Sequence, residues 1–335
     1  MLLGAWNGND GGWGPAISTQ QNGVGGLISQ YILPTTDLGP ERVKEFETGF
    51  DLGLWQDKAD LGFTWYRAIS SDVILNLPTA GSTGYTQKPA NAATLRNAGI
   101  EVALNLRPIT TRDFAWDLGF QVATNRNRVT DLAGVQFVPL PISGGTNGLT
   151  IQGVAIEGQP LGVYYASDFI RCGRGLTFAG VDLDNTAGHC QGASAGSMYI
   201  AADGYPQVDV GGNYVIGDPN PDWTGSVRTS FRVKKFSIGG LLDIRQGGDA
   251  YNGTKGALAH FGTSKLSQEL RDGGNLVFGD TFFGDEAVSG PGVGTGVPLN
   301  EAWFTGSGGI FNGPDEQWVE DGSFVKLREI SLGYT

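Results

Sequence analysis

The sequence predicts an all-β fold: an antiparallel transmembrane β-barrel, of which this chain holds an incomplete portion of roughly ten strands with long extracellular loops. Apolar and polar residues alternate with period two along several segments of about ten residues, the length that a tilted strand needs to cross a bilayer. Glycine accounts for 55 of 335 residues, and charged residues make up only 17% of the chain. The second face of each predicted strand carries small or polar residues, which suit a water-filled lumen better than a packed core.

The first hairpin covers residues 43–66 and shows the alternation most completely. Its two arms flank a polar turn at 56–58. One face contains Phe46, Thr48, Phe50, Leu52, Leu54, Leu61, Phe63 and Trp65. The other contains Glu45, Glu47, Gly49, Asp51, Gly53, Asp60, Gly62, Thr64 and Tyr66. Because successive strand residues point to opposite faces, this pattern predicts one lipid-facing and one lumen-facing side.

Two more hairpins and a final strand repeat this pattern. The second hairpin covers residues 100–123 with its turn at 108–113, and the third covers 223–245 with its turn at Lys234 and Lys235. The last strand covers residues 324–335. Its apolar positions change phase in the middle, which predicts a β-bulge near Arg328 and Glu329.

Three segments lack sustained periodicity. Residues 1–36 are predicted to be loop with one short strand near Gly26 to Leu33. Residues 130–217 and about 247–321 are rich in glycine, proline and polar residues. Structureless inserts of this length are unusual in compact soluble domains, but long extracellular loops are normal for outer-membrane barrels.

Charge and hydropathy exclude several classes of protein. A net charge of −12 argues against a nucleic-acid partner, because phosphate contacts need a surplus of lysine and arginine. The mean hydropathy is −0.13, and no uninterrupted apolar run approaches the length of a transmembrane helix. The first residues have no basic region followed by an apolar one, so they are not a signal peptide. Since a barrel needs export, we expect the chain to lack its true N-terminus.

Cys172 and Cys190 lie 18 positions apart in the middle loop, and they either form a disulfide in an oxidising exterior or remain two free thiols. Asp203 and Asp209 are weak calcium candidates. No glutamate closes a calcium loop there, so an ordinary polar loop is the alternative. No structural zinc site, dinucleotide fingerprint or other cofactor is predicted.

The sequence does not predict an enzyme. The pairs Glu45/Glu47 and Glu316/Glu320 could be considered as glycosidase acids, but such enzymes need two carboxyl groups facing one bond across a cleft. Glu45 and Glu47 share one face of one strand. Catalytic residues are therefore not expected.

Aromatic residues mark the ends of the predicted strands. Trp55, Trp65, Tyr66, Trp116 and Trp223 fall where membrane-interface girdles occur, and ordinary core packing is the alternative. In the last loop, four aromatic side chains could stack on sugar rings or pack the loop itself: Trp303, Phe304, Phe311 and Trp318.

A series of short blocks resembles the barrel of TonB-dependent outer-membrane transporters, specifically the SusC/RagA branch. The blocks are Pro40–Glu41, Glu45–Gly49, Asn97–Glu101, Asn125–Val129, Ile156–Gly162, Ile216–Trp223 and Phe324–Tyr334. Each block alone is weak, but their order and spacing along one chain are specific and cover about two-thirds of it.

This resemblance implies active import of nutrients too large for porins, mostly glycans or oligopeptides, across the outer membrane of a Gram-negative bacterium. It implies three kinds of partner: TonB, a SusD-like surface lipoprotein and outer-membrane lipid. The whole chain, residues 1–335, is expected to be a partial barrel domain that lacks the plug domain, the TonB-contacting segment and the last strands. Alone it is not expected to transport. The alternative is a secreted soluble β-rich protein that binds glycans or serves as an adhesin.

Overall fold

We describe the chain from a computed structural model. The residues that it describes are 16–21, 24–28, 32–85, 87–140, 151–178, 180–186, 189–190, 195–196, 198–199, 205–209, 211–271, 276–277, 287–289, 296–297, 301–306 and 308–335.

Within these ranges the chain forms 21 strands, numbered in chain order. The first part contains β1 (Ala16–Gln21), β2 (Val24–Ile28), β3 (Arg42–Leu54), β4 (Ala59–Pro78), β5 (Gln87–Thr110), β6 (Phe114–Asp131), β7 (Phe137–Pro139), β8 (Gln152–Ile156), β9 (Val163–Ala166), β10 (Thr177–Phe178) and β11 (Val181–Asp182). The second part contains β12 (Met198–Tyr199), β13 (Tyr214–Gly217), β14 (Trp223–Val233), β15 (Phe236–Gln246), β16 (Asp249–Tyr251), β17 (Leu276–Val277), β18 (Ala287–Ser289), β19 (Gly296–Val297), β20 (Val319–Asp321) and β21 (Phe324–Tyr334).

Seven long strands form one antiparallel sheet, which we call the wall, in the order β21-β15-β14-β6-β5-β4-β3. Its turns at one end are short, covering residues 55–58, 111–113 and 234–235, while the connections at the other end are long. In membrane barrels the short turns face the periplasm and the long loops face outward. This asymmetry places the short turns of the wall at the periplasmic end and its long connections at the outer end.

The three predicted hairpins are confirmed, but the first two are longer than predicted. β4 continues to Pro78, and β5 begins at Gln87 rather than near residue 100. Past residue 66 the apolar alternation fades because neither face of the sheet needs to meet the hydrocarbon of the bilayer there. Backbone hydrogen bonding between β4 and β5 nevertheless continues outward as far as Pro78, which lies opposite Gln87.

The wall has seven strands, fewer than the roughly ten expected along the chain. The other strands of the described residues are short, and they lie in the loops or near the start of the chain. Within those residues, β3 and β21 each have a neighbour on one side only, so the sheet is not closed. An open edge is not tolerated in the hydrocarbon region, because its backbone groups would lack partners.

The long loop predicted after β6 contains short strands that the sequence does not reveal. This segment contains a four-stranded sheet in the order β13-β9-β8-β7. Its buried core includes Val138, Ala155 and Leu132 together with Val129 of β6. Short β-strands escaped sequence reasoning here because three to five residues are too few to show a period.

In its described parts, the loop between β15 and β21 contains three short helices, α1 (Gly253–His260), α2 (Lys265–Arg271) and α3 (Glu301–Thr305). Two 3-10 turns cover Gly81–Thr83 and Asp315–Trp318. The side chain of Asn252 caps α1 by accepting a hydrogen bond from the Lys255 amide, 2.9 Å away. Near the start of the chain, β1 and β2 form a hairpin in place of the single short strand expected near Gly26 to Leu33.

Among the described residues, no helix has the length and apolar character needed to cross a membrane.

Candidate functional site

One face of the wall is apolar. Cross-strand pairing aligns a row of large apolar side chains over all seven strands: Leu52, Leu61, Leu104, Phe120, Val227, Leu242 and Leu327. The members of this row at the edges of the wall are exposed, Leu327 at 59% and Leu52 at 44%, and those on the central strands are partly exposed. A surface of this size would drive aggregation in water. It fits contact with lipid, and we call it the outward face.

The opposite face is polar, and we call it the inward face. The neighbouring row on this side contains Asp51, Gly62, Ala103, Gln121, Ser226, Asp243 and Lys326. A cavity of about 520 Å³ lies over this face and is lined by Asp51, Glu101, Gln121 and Asp243, among others. A polar cavity on this side fits the lumen side of a barrel wall.

The predicted bulge in the last strand is confirmed. Glu329 and Leu327 pair with successive residues of β15, so Arg328 is the extra residue between them. The Arg328 guanidinium donates two hydrogen bonds to Oδ2 of Asp243, from Nε at 2.8 Å and Nη2 at 2.6 Å. The bulge therefore directs a cation to the inward face while keeping the apolar side chains of β21 outward.

Tyr66 lies on the inward face, where it covers a glycine of the next strand. It pairs with Glu47 on one side and with Gly99 on the other. A Cβ atom added to Gly99 would lie 2.5 Å from the Tyr66 hydroxyl and 2.1 Å from the Thr124 carbonyl oxygen. The prediction that Tyr66 belongs to an interface girdle is therefore wrong, and the strand parity that places it inward was already visible in the sequence.

Replacing Gly99 with alanine is expected to destabilise the wall by about 1–3 kcal/mol, because the new methyl group would overlap a backbone carbonyl that cannot rotate away. Urea unfolding of the intact protein in lipid vesicles measures this change. Gly119→Ala is the matched control. Its Cβ would lie 3.3 Å from the tip of the Asn105 side chain and 3.8 Å from Cβ of Arg228, and no backbone atom is as close. Equal loss of stability in both variants would contradict the packing that we describe.

Aromatic side chains pair on the outward face near both ends of the membrane-spanning region. At the periplasmic end, Trp116 stacks on Phe231 with 5.4 Å between ring centroids. Further up the wall, Phe46 meets Trp65 edge-on at 6.1 Å. Trp55 lies in the first periplasmic turn and is 72% exposed. These positions fit an interface girdle rather than core packing.

The structure joins Cys172 to Cys190 by a disulfide, one of the two states left open by the sequence. Around it, Ile170, Leu183 and Tyr199 form a small buried cluster. A disulfide restricts the unfolded loop, and for a loop of this length the stabilisation is about 3 kcal/mol.

A buried ion cluster connects this disulfide loop to the far end of the chain. Asp168 is 2% exposed and Arg171 is 6% exposed. Nε of Arg171 donates to both carboxylate oxygens of Asp168, at 3.3 and 3.2 Å, and Nη2 donates to Glu316. Arg174 donates to Oδ2 of Asp168 at 2.6 Å. We call these four residues the loop ion cluster. They tie the 168–174 segment to the 3-10 turn before β20.

The two carboxyl groups of the loop ion cluster, Asp168 and Glu316, have pKa values shifted in opposite directions. Burial, reinforced by the charge and hydrogen bond of Asp168, raises the pKa of Glu316 to about 8 even though Arg171 opposes the shift. Burial acts to raise the pKa of Asp168 as well. Its hydrogen bond with Glu316 and the two guanidinium groups outweigh burial and keep that pKa below the ordinary value. At neutral pH Asp168 is ionised and Glu316 holds the proton.

The stability of this loop region is expected to fall as the pH rises from about 4.5 to about 8. In that window the folded loops keep the Glu316 proton and the unfolded loops have lost it, so deprotonation favours unfolding. The lowered pKa of Asp168 acts in the opposite direction, but only below about 3.8. Amide hydrogen exchange of residues 168–172 at pH 6 and pH 8, corrected for intrinsic rates, measures the effect. Glu316→Gln should remove it, and an unchanged slope in that variant would contradict the assignment.

The calcium candidates gain no support as a metal site. Asp203 lies outside the described residues. Asp209 accepts hydrogen bonds from the Tyr214 hydroxyl at 2.5 Å and from the Gly211 amide at 3.1 Å. In the described part of the chain, no group of three or more His, Cys, Asp or Glu side chains is arranged to hold a metal ion.

The acidic pairs considered for catalysis have other partners. Glu45 and Glu47 lie on the inward face of β3. Glu316 belongs to the loop ion cluster, whereas Glu320 accepts a hydrogen bond from the side-chain Nδ2 of Asn252 at 2.7 Å and pairs with Lys255. The two members of the second pair therefore face different groups rather than one shared cleft.

Most loop aromatics pack the loop. Trp303, Phe304 and Trp318 are buried, and Trp303 stacks on Tyr205 at 5.3 Å. Phe311 remains 39% exposed. Three of the four side chains are thus inaccessible to a sugar ring.

Sequence reasoning missed the loop ion cluster. Arg171 and Glu316 are 145 positions apart, and no local pattern connects them. The only available signal was the spacing of Asp168, Arg171 and Arg174 around a cysteine, which is also common in solvated loops.

Comparisons with known proteins agree with this architecture. A family model described as "TonB dependent receptor-like, beta-barrel" matches residues 7–264. The TonB-dependent receptor P3 of Formosa agariphila is 25% identical over 320 residues, which cover 94% of this chain and 29% of the relative. The TonB-dependent receptor SusC of Bacteroides thetaiotaomicron is 21% identical over 296 residues, which cover 88% of this chain and 26% of the relative.

Solved structures share the fold. The RagAB peptide transporter superposes with a TM-score of 0.57 at 16% identity, over 95% of this chain and 31% of that structure's chain. The RagAB peptide importer in its open-open state gives a TM-score of 0.57 at 17% identity, over 96% and 31%. The chain thus spans about three-tenths of the length of the relatives that it matches.

These findings confirm the predicted barrel, the resemblance to SusC and RagA, and the location in the outer membrane of a Gram-negative bacterium, in a family of receptors and transporters rather than enzymes. The chain belongs to the TonB-dependent receptor β-barrel family.

Proposed function

We propose that this chain supplies part of the wall and outer loops of an active importer of large nutrients, either glycans or oligopeptides, in the outer membrane. The observation that carries this proposal is the division of the wall into an apolar outward row and a polar inward row with a cavity over the inward side. A wall of this kind encloses a polar path through lipid. Family membership supports active transport rather than passive diffusion.

We further propose that residues 1–335 act within a larger barrel. The free edges of β3 and β21 need neighbouring strands, because an unpaired edge is costly inside a membrane. A plug domain and further strands would complete the assembly. By itself the chain is not expected to form a closed lumen or to transport substrate.

Two protein partners follow from the same proposal. Energy would come from TonB, through a segment outside this chain. The loops above the wall would meet a SusD-like surface lipoprotein. The disulfide and the loop ion cluster support this role, because together they hold two distant loops in a fixed arrangement. RagAB, a solved structure of similar fold, is a peptide transporter.

Uptake measurements test the proposal. Deletion of the gene region that encodes this chain should abolish growth on one class of nutrient, oligosaccharide or oligopeptide, and removal of TonB should have the same effect. Affinity purification of the intact protein from outer membranes should recover a surface lipoprotein. Unchanged growth on every glycan and peptide tried would contradict the import function. Recovery of the intact protein in the medium without detergent would favour the alternative of a secreted glycan-binding protein or adhesin.

A further inference from the structure

Basic side chains collect on the outward face above the apolar rows. Strand pairing places Lys44, Ile69, Arg96 and Arg128 in one row across β3 to β6. The next row toward the periplasm contains Phe46, Arg67, Ala98 and Arg126. We call the five basic residues of these rows the outward basic cluster. They share strand parity with the lipid-facing side chains, so they point away from the lumen.

The height of the outward basic cluster matches the outer edge of the membrane. Arg126 follows Trp116 of the periplasmic aromatic pair by ten positions along β6, and a strand of about 9–11 residues crosses a bilayer. Trp65 lies two positions before Arg67 on β4, with its ring against Phe46. Aromatic rings beside basic side chains are typical of the level at which lipid headgroups begin.

The two rows of the outward basic cluster contain no carboxylate. All five basic residues are exposed, and none of them forms a salt bridge with a carboxylate in the described part of the chain. Arg96 and Arg128 are direct cross-strand partners, an arrangement that is destabilising for like charges. By contrast, Arg328 on the inward face is bound to Asp243. The cluster can therefore pair with an anion from outside the protein.

A cavity of about 660 Å³ adjoins the cluster. Its lining includes Arg96, Arg126, Arg128 and Trp223, the first residue of β14. Asp218 and Asp222 also line it, so the three arginines exceed the carboxylates by one charge. Oδ1 of Asp218 already accepts hydrogen bonds from the Asn220 amide and side chain, at 2.9 and 2.7 Å. The space and the surplus charge suit a compact anion.

We propose that the outward basic cluster binds the phosphate groups of an anionic lipid in the outer leaflet of the membrane. Guanidinium groups bind phosphate through paired N–H donors, and Arg96 and Arg128 are placed to share one phosphate and relieve their repulsion. A soluble anion could meet the same charges, but it would make no use of the apolar rows next to them. Because the cluster lies between those rows and the outer loops, its position favours a lipid headgroup. This inference rests on the fold and the membrane location, not on the import function.

The test uses the intact protein in mild detergent, titrated with purified lipopolysaccharide and followed by native mass spectrometry. The double variant Arg96→Gln and Arg128→Gln is expected to weaken binding by about tenfold or more. Arg228→Gln with Arg232→Gln is the matched control, since both of these arginines are exposed on the inward face of β14 and lose the same charge. The charge-preserving variant Arg96→Lys with Arg128→Lys should lose less affinity than the glutamine variant, because it keeps both charges but not the paired N–H donors.

Two further binding measurements identify the anion. Dephosphorylated lipopolysaccharide should bind as weakly as the glutamine variant does, and inorganic phosphate at millimolar concentration should compete poorly. The proposal is overturned by unchanged binding in the glutamine variant, by equal loss in the inward control or in the lysine variant, by equal binding of the dephosphorylated lipid, or by inorganic phosphate that binds as tightly as the lipid.

Discussion

Arginine in place of Phe120 is expected to destabilise the membrane-inserted protein by about 2–4 kcal/mol, because the new charge would lie near the middle of the hydrocarbon region. Phe120 occupies the centre of the apolar row, between Leu104 of β5 and Val227 of β14. Neither neighbour offers a counterion or a hydrogen-bond acceptor. Guanidinium unfolding of the intact protein in lipid vesicles measures the loss.

The matched control is the next residue along the same strand. Gln121→Arg places the same charge over the inward cavity, near Glu101 and Asp243, and should change stability by no more than about 1 kcal/mol. Similar losses in the two variants would show that the wall does not separate lipid from water. A larger loss for Gln121→Arg would reverse the assignment of the faces.

Replacing Arg171 with methionine is expected to lower the free energy of opening of the outer loops by about 3–5 kcal/mol. Arg171 binds Asp168, Glu316 and the Gly196 carbonyl oxygen, the last at 3.0 Å. Without it, two buried carboxyl groups would face each other with only Arg174 nearby. Limited proteolysis of the protein in intact outer membranes should show rapid cleavage in the loops while the wall stays folded.

Arg42→Met is the control for this change. Its ion pair with Asp72 is long, at 4.0 Å, and both side chains are more than half exposed. Exposed pairs of this kind contribute about 0–1 kcal/mol. If the Arg42 and Arg171 variants resisted protease equally, the loop ion cluster would not hold the loops together.

The membrane-spanning part of the wall is largely predictable from the sequence, because lipid on one side and water on the other impose a period of two. The hairpin of β14 and β15 matches its predicted bounds to within one residue. The bulge at Arg328 also follows from the pattern, since only an extra residue keeps both halves of β21 in phase with the apolar face.

The outer loops are much less predictable. Their short strands bury a core formed with Val129 of β6, and this contact between distant segments leaves no periodic trace in the sequence. Arg171 and Glu316 likewise meet only after the chain has passed through two wall strands, β14 and β15. The upper parts of β4 and β5 extend beyond the apolar alternation because backbone pairing, rather than lipid contact, continues them.

The outward basic cluster can be recognised only when the sequence and the strand register are considered together. Its arginines are visible in the sequence, but neither composition nor spacing marks them as neighbours. Register across β3 to β6 brings them together on the lipid side. Strand pairing is thus the step that turns scattered charges into a candidate surface.

Quenching of single fluorescent labels along β6 tests most directly whether the wall spans a membrane with its apolar face toward lipid. Cysteines placed one at a time at positions 118–123 of the intact protein would carry the label, after reconstitution in vesicles. Labels at 118, 120 and 122 should be quenched by nitroxides on lipid chains, and labels at 119, 121 and 123 by iodide in the water. Quenching by iodide at all six positions, or the absence of any alternation, would contradict the account.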